Sequence, residues 1–110
     1  MKTLKIKNLS IAIIFNLFVL NPASAVITFG IPDCGQWVNS KNETRKAWLL
    51  GYMSGLSVMH ELNDSKDDPL KKINSAQQIF LWMDNYCQNN PLKDVSDGGG
   101  ALFIELMKKK

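Results

Sequence analysis

The residues best suited to chemistry in this sequence are two cysteines, Cys34 and Cys87, and one histidine, His60. Redox enzymes usually place paired cysteines two residues apart, and zinc sites combine cysteine and histidine at short spacings. Neither spacing occurs here. In an oxidising compartment a lone cysteine pair most simply forms a disulfide, and closing so long a loop stabilises a small domain by about 4 kcal/mol. We therefore predict a structural Cys34–Cys87 disulfide and no metal site.

Catalytic acids and bases need partners that position them, and the sequence offers few candidates. His60 is predicted to be a polar residue at the exposed end of a helix rather than a base. Asp84, between Trp82 and Tyr86, is predicted to be a partly buried, hydrogen-bonded structural acid. The sequence has no serine elbow, phosphate loop or metal motif. We expect no catalytic residues and no cofactor, and we interpret the chain as a binding protein rather than an enzyme.

A polar, acidic stretch separates two predicted helices and provides the candidate partner-binding residues. It consists of Asn63, Asp64, Ser65, Lys66, Asp67 and Asp68. A calcium loop of the EF-hand type requires alternating oxygen ligands, a central glycine and a terminal glutamate, which are missing here. Two interpretations stay open: a solvated helix connection, and a projecting loop that contacts a protein partner.

The N-terminus has the pattern of a secretory signal. Lys2, Lys5 and Lys7 precede an apolar run, residues 9–20, which is followed by the small residues of Ala23-Ser24-Ala25. The run is short for a transmembrane helix, which needs roughly 20 residues, and the Ala-x-Ala site favours cleavage. We predict a signal peptide at residues 1–25, cleavage after Ala25, a periplasmic location, and contact with the membrane only during export.

Removing the signal changes the charge balance. The full chain has 13 basic and 10 acidic residues, and the three signal lysines account for the whole excess. The remaining chain, residues 26–110, is formally neutral, which argues against a nucleic-acid partner because phosphate binding requires a surplus of lysine and arginine. Its length allows one domain with a modest core.

The elements that would position these residues are helices. We predict an all-α bundle of three to four helices: a turn or short helix near residues 32–38, with Trp37 and Val38 as anchors, and three longer helices. The first starts after an Asn42 cap and reaches about residue 62. The second spans 75–87 with a Ser75–Gln78 capping box. The third starts near Pro91, with Asn90 as its candidate cap. Gly98, Gly99 and Gly100 could kink it or break it in two, and its predicted apolar face consists of Val95, Leu102, Phe103 and Leu106.

A stripe of small residues follows one line of the first long helix: Ala47, Gly51 and Gly55, with Ser54 beside them. Each glycine costs roughly 1 kcal/mol relative to alanine in a helix interior. We predict that the stripe lets another backbone approach closely inside the core, since helical apolar stripes usually face the core. The alternative is a subunit or partner interface.

Taken together, three sequence segments resemble the Rap/Tai family of periplasmic immunity proteins of type VI secretion. The segments are a Cys-Gly-x-Trp start, a Trp-x-x-Gly-Tyr-x-Ser-Gly helix and a Trp-x-Asp-x-Tyr-Cys-x-x-Asn-Pro helix end. The pattern is carried by Cys34, Gly35, Trp37, Trp48, Gly51, Tyr52, Ser54, Gly55, Trp82, Asp84, Tyr86, Cys87 and Pro91. The resemblance implies an all-helical domain with one disulfide, commonly a homodimer. Such a protein neutralises a secreted peptidoglycan amidase toxin by placing an inter-helix loop in its active site.

Two other functions remain open from the sequence. One is a periplasmic acid-stress chaperone of the Hde type, which is also small, helical and joined by one disulfide, and whose trigger here would be carboxylate protonation. The other is a binding module for conjugation or envelope assembly.

Overall fold

The computed structural model describes residues 27–40, 42–64 and 67–109, and these form an all-α domain. The predicted signal peptide lies outside the described residues. The helices are α1 (Cys34–Asn39), α2 (Glu43–Asp64), a 3-10 helix (Pro69–Lys72), α3 (Ala76–Asn89) and α4 (Val95–Lys108). The predicted fold class, a small helical bundle with one disulfide, is therefore confirmed. None of the helices in the described residues is long and apolar enough to cross a membrane.

Helix α1 begins with a capping box. The Asp33 carboxylate accepts a hydrogen bond from the Gln36 backbone N–H, and the Gln36 side chain accepts from the Asp33 N–H. Trp37 is fully buried, but Val38 is 43% exposed, so the prediction of Val38 as an anchor was wrong. Cys34 and Trp37, three residues apart, fill the single inward side of this six-residue helix, and Val38 follows on its outer side.

Helix α2 starts as predicted and buries a different face from the one predicted. The Asn42 side chain accepts a hydrogen bond from the Arg45 N–H at 2.9 Å, which confirms the N-cap. Leu49 and Met53 are the buried residues of the helix. The small-residue stripe lies on the opposite side and is exposed, so its predicted burial in the core was wrong.

Helix α3 follows the 3-10 helix and extends slightly further than predicted, to Asn89. Ser75 is the N-cap residue, but its side chain makes no capping hydrogen bond, and Gln78 accepts instead from the Asn74 N–H at 2.7 Å. The predicted capping box was therefore wrong. The helix ends just before Pro91, which cannot continue it.

Helix α4 starts at Val95 and not near Pro91. The Asp94 carboxylate accepts from the Asp97 backbone N–H, and the Asp97 carboxylate accepts from the Asp94 N–H, which forms a second capping box. The predicted Asn90 cap was wrong, since Asn90 ends α3 and Pro91 lies in a turn. The three glycines do not break the helix, which is continuous through Gly98, Gly99 and Gly100.

The core lies between α1, α2, α3 and α4. Its buried apolar residues are Cys34, Trp37, Leu49, Met53, Ile79, Met83, Cys87, Val95, Leu102, Phe103 and Leu106. All four residues predicted for the apolar face of α4 are among them. The Cys34–Cys87 disulfide is present as predicted, with a Cα–Cα distance of 4.8 Å, and joins the start of α1 to the last turn of α3.

Next to the disulfide, the Trp37 indole N–H donates to the Asp84 carboxylate at 2.8 Å. Asp84 is therefore a half-buried, hydrogen-bonded structural acid, as predicted. This bond satisfies the polar group of the largest fully buried side chain, which would otherwise be costly to bury.

Candidate functional site

The predicted partner-binding residues lie at the end of α2 and in the connection that follows. Asn63 is exposed, and its side-chain amide donates to the Met59 carbonyl one turn earlier. Asp64 is the last residue of the helix. Ser65 and Lys66 lie outside the described residues. Asp67 is exposed. The structure thus places the described members of the set at one end of the long helix.

Asp68 differs from its neighbours because its carboxylate has two structural contacts. The Ser57 hydroxyl donates to it at 2.7 Å, and the Leu70 backbone N–H donates at 2.9 Å. The hydrogen bond from Ser57 is the main cause that lowers the pKa of Asp68 below its ordinary value. Through Ser57, Asp68 therefore attaches the C-terminal end of the connection to helix α2. It also caps the 3-10 helix.

His60 lies close to this connection and is half-buried, not exposed as predicted. Its ring meets the Phe103 ring edge-on, with 5.7 Å between centroids. Its Nε2 is 3.2 Å from the Asp67 carbonyl oxygen. These contacts give His60 a packing role between α2, α4 and the connection.

The side of α2 opposite Leu49 and Met53 forms an exposed face whose central residues are uncharged and which is bordered by the exposed Glu43 and Glu61. We define this α2 outer face by seven exposed residues at helical spacing: Thr44, Ala47, Gly51, Ser54, Gly55, Val58 and Leu62. Its N-terminal half carries the small residues, and Val58 and Leu62 in its C-terminal half are 56% and 75% exposed. A solvent-facing side of a helix normally carries charged and polar residues, so this composition is typical of a contact surface.

The two glycines of the α2 outer face have no packing role within the described chain. A Cβ atom placed on Gly51 or Gly55 would meet nothing within 4 Å. Each glycine nevertheless costs the helix roughly 1 kcal/mol relative to alanine. The sequence identified the stripe, but its periodicity could not show that the stripe faces outward.

Helix α4 shows the opposite situation. A Cβ atom on Gly98 would lie 2.5 Å from the Met83 sulfur and 2.8 Å from the Tyr86 ring, and one on Gly99 would lie 2.8 Å from the Tyr52 ring. The close helix approach that the sequence predicted for α2 is therefore made by α4. The sequence left open whether the three glycines break this helix; the helix is continuous, and two of the glycines allow it to pack.

Two stacked aromatic pairs flank the glycines of α4. Trp48 stacks on Tyr52 with a centroid distance of 5.2 Å, and Trp82 stacks on Tyr86 at 5.4 Å. Partial burial raises the pKa of both tyrosine hydroxyls, and the nearby Asp94 and Asp97 carboxylates add to this rise. The tyrosines thus remain neutral at physiological pH. Their role here is packing against the N-terminal turns of α4.

Metal binding finds no support in the described part of the chain, where no three His, Cys, Asp or Glu side chains are grouped closely enough to hold an ion. The two cysteine sulfurs are joined to each other. Comparison of the chain with models of protein families, with curated proteins and with solved structures gives no match.

Proposed function

We propose that this chain is a periplasmic immunity protein that binds a peptidoglycan amidase toxin and occludes its active site. The sequence resemblance to the Rap/Tai family motivates the proposal. The observation that supports it is the α2 outer face, a row of exposed uncharged residues that leads directly into the acidic connection at residues 63–68.

The toxin-binding part of this surface is the C-terminal end of α2 with the connection. Met59, which is 56% exposed, adds to Val58 and Leu62 to form an exposed apolar group on the last turns of the helix. Polar and acidic residues follow at once in the chain. An apolar centre bordered by polar residues is the usual arrangement of a protein–protein interface.

The connection has a structural basis for occluding a cleft. The carboxylate of Asp68 anchors one side through Ser57 and Leu70, while Asp67 next to it is exposed. A segment held at its base loses less conformational entropy on binding than a free loop. In this proposal the connection enters the amidase cleft and excludes the substrate, and the apolar group on α2 supplies most of the binding energy.

The N-terminal half of the α2 outer face supports a homodimer. Ala47, Gly51, Ser54 and Gly55 would let a second α2 helix approach closely, and the space above both glycines is open. Such a contact would account for the cost of the glycines. The two halves of the face then serve different partners, a second copy of the chain and the toxin.

The proposal is tested by co-expressing the chain in the periplasm with an amidase encoded next to its gene. We expect the wild-type chain to prevent lysis and Leu62→Lys to lose protection, because the substitution puts a charge into the apolar contact. Leu62 is exposed, so the fold should be unaffected. Leu92→Lys is the matched control, since Leu92 is 99% exposed and lies in the turn before α4.

Equal protection by Leu62→Lys and the wild type would contradict this toxin-binding surface, and failure of the wild-type chain to bind or restrain the amidase would contradict the function. The molar mass of the purified complex, measured by light scattering, tests the dimer at the same time. A complex of one chain with one amidase would contradict it.

An acid-stress chaperone is a second candidate, favoured by one observation. Asp68 and Asp94, which cap the 3-10 helix and α4, both have a lowered pKa, so acid weakens two elements of the fold together. Suppression of the aggregation of a client protein at low pH, followed by light scattering, distinguishes this candidate from the immunity protein.

A further inference from the structure

A small pocket lies between the 3-10 helix, α3 and α4, and no residue of α2 lines it. Its volume is about 200 Å³. This is below the range of roughly 300–1,000 Å³ that is typical of drug-sized ligands, so the pocket suits a single side chain. It is therefore separate from the α2 outer face and from the proposed toxin contact.

The inner wall of the pocket is apolar and belongs to the core. Ile79, Leu102 and Leu106 are buried core residues, and Ile73 packs against them. An apolar ligand group that enters the pocket would extend the hydrophobic core and gain free energy from the area removed from water.

The rim carries two lysines, and one of them is held in place. The Lys72 ammonium donates hydrogen bonds to the backbone carbonyls of Leu106 and Lys109 at the end of α4. Two of its three donors are used in this way. Lys72 thereby offsets the partial negative charge of the helix C-terminus, which would otherwise repel an anion.

The charge around the pocket is positive. Lys109 lines the rim with Lys72, and their chain neighbours Lys108 and Lys71 add positive charge on the same two elements. Glu105 is the one acid of the lining, and its carboxylate accepts a hydrogen bond from the Trp82 indole at 2.7 Å. The rim therefore favours a carboxylate over a cation.

We propose that this pocket binds the C-terminal residue of a peptide chain, with its apolar side chain inside and its α-carboxylate on the rim lysines. In a C-terminal residue the side chain and the carboxylate are attached to the same carbon atom, which fits a pocket of this size with an apolar inner wall and cations at its edge. The interaction with Lys72 is a charge-assisted hydrogen bond, which is stronger than a neutral one.

The test is a titration of the purified chain with N-acetyl-leucine. The tryptophan indole resonances are monitored by NMR. We expect a saturable shift of the Trp82 indole resonance with a dissociation constant on the order of 1 mM, as for a ligand of few atoms. Trp37 and Trp48 are internal controls, because their indoles donate to Asp84 and to the Phe29 carbonyl, away from the pocket.

Three comparison probes separate the contributions. N-acetyl-leucinamide lacks the carboxylate, N-acetyl-glycine lacks the side chain, and decanoate carries a carboxylate on a long acyl chain. We expect the first two to bind at least about tenfold more weakly than N-acetyl-leucine, which corresponds to 1.4 kcal/mol, and decanoate to bind no better than N-acetyl-leucine.

Lys109→Met should weaken N-acetyl-leucine binding and leave the fold intact, because its side chain is exposed. Lys72→Met should abolish binding, and the spectrum of the variant shows whether α4 remains folded. Equal binding of the acid and the amide would overturn the proposal, as would equal shifts of all three indoles. Clearly tighter binding of decanoate would overturn it as well, in favour of a lipid-like ligand.

Discussion

Glycine has opposite surroundings at two positions of this protein. Gly98 on α4 lies against the Met83 side chain and the Tyr86 ring, whereas Gly51 on α2 faces open space. The intrinsic cost of glycine in a helix is the same at both positions, roughly 1 kcal/mol relative to alanine. What differs is the space available for a Cβ atom.

A pair of alanine substitutions makes this difference measurable. In the monomer, Gly51→Ala should raise the free energy of unfolding by about 1 kcal/mol, because helix propensity improves and no contact within the described chain is disturbed. Gly98→Ala should lower it by about 1 kcal/mol or more, because the added methyl group would overlap the Tyr86 ring as well as the fully buried Met83 side chain. Urea unfolding of both variants is the measurement, and a similar rise in both would contradict the packing of α4.

The sequence predicted individual contacts correctly where the residue types allowed only one pairing or marked a clear helix cap. Two cysteines allow one intramolecular disulfide, and Asn42 before a run of helix formers is a recognisable cap. The orientation of Gly51 could not be predicted, because large apolar residues lie on both sides of the stripe. Periodicity locates such a helix, but the choice of its buried face depends on α4, which is distant in the sequence.

At the scale of the elements, acidic caps mark the start of three of the five helical elements in the described residues. Asp33, Asp68 and Asp94 precede α1, the 3-10 helix and α4, and each accepts a hydrogen bond from a backbone N–H of its element. For Asp94, partial burial raises the pKa. The hydrogen bonds from Ser96 and Asp97 act in the opposite direction and together outweigh this rise, so the pKa of Asp94 lies below its ordinary value.

These caps predict that acid destabilises the fold. Because the folded-state pKa of Asp68 and Asp94 lies below that of the unfolded chain, their ionised forms stabilise the protein at neutral pH. This contribution is lost as the pH falls below about 4, the ordinary value for aspartate. Unfolding experiments between neutral and acidic pH should show this loss.

Asp94→Asn is the matched control, since asparagine caps a helix about as well as aspartate but does not titrate. We expect it to keep most of the stability at neutral pH and to show a shallower decline in acid. Asp94→Ala should lose about 1 kcal/mol at neutral pH. An unchanged acid profile in Asp94→Asn would show that Asp94 does not contribute to the pH dependence.

The helices themselves were largely predictable, and the connections were not. The predicted boundaries of α2 and α3 lie within a few residues of the observed ones, because both have a clear apolar period. The start of α4 was misplaced because Asn90 followed by Pro91 is a strong start signal, whereas the Asp94–Asp97 box uses aspartate in place of the usual glutamate or glutamine. The 3-10 helix and the pocket beside it depend on contacts with α4 that no local pattern reveals.

For the molecule as a whole, the disulfide joins the short α1 to a core made chiefly by α2, α3 and α4. A six-residue helix has little stability of its own. Its position depends on the Cys34–Cys87 bond, on the buried Trp37 and on the Arg45 side chain, which donates to the carbonyls of Gln36 and Ser40.

Breaking the disulfide should therefore cost a large share of the total stability. We expect reduction to lower the free energy of unfolding by about 4 kcal/mol, against a total of roughly 5–15 kcal/mol for a typical domain. Urea unfolding with and without a reductant measures the difference. The double variant Cys34→Ala/Cys87→Ala should match the reduced protein and be insensitive to reductant; an effect of reductant on this variant would mean that the loss has another cause.

The glycine run of α4 also affects how the protein acquires its structure. Three successive glycines, Gly98, Gly99 and Gly100, make helix formation in the segment from Val95 to Lys108 about 3 kcal/mol less favourable than three alanines would. An isolated copy of this segment would therefore remain a random coil. Its coil-to-helix transition must coincide with docking between Tyr52 and Tyr86. The backbone amides of α4 should then become available for exchange with solvent only when the surrounding helices also separate, which makes the last helix a cooperative part of the whole and not an independent unit.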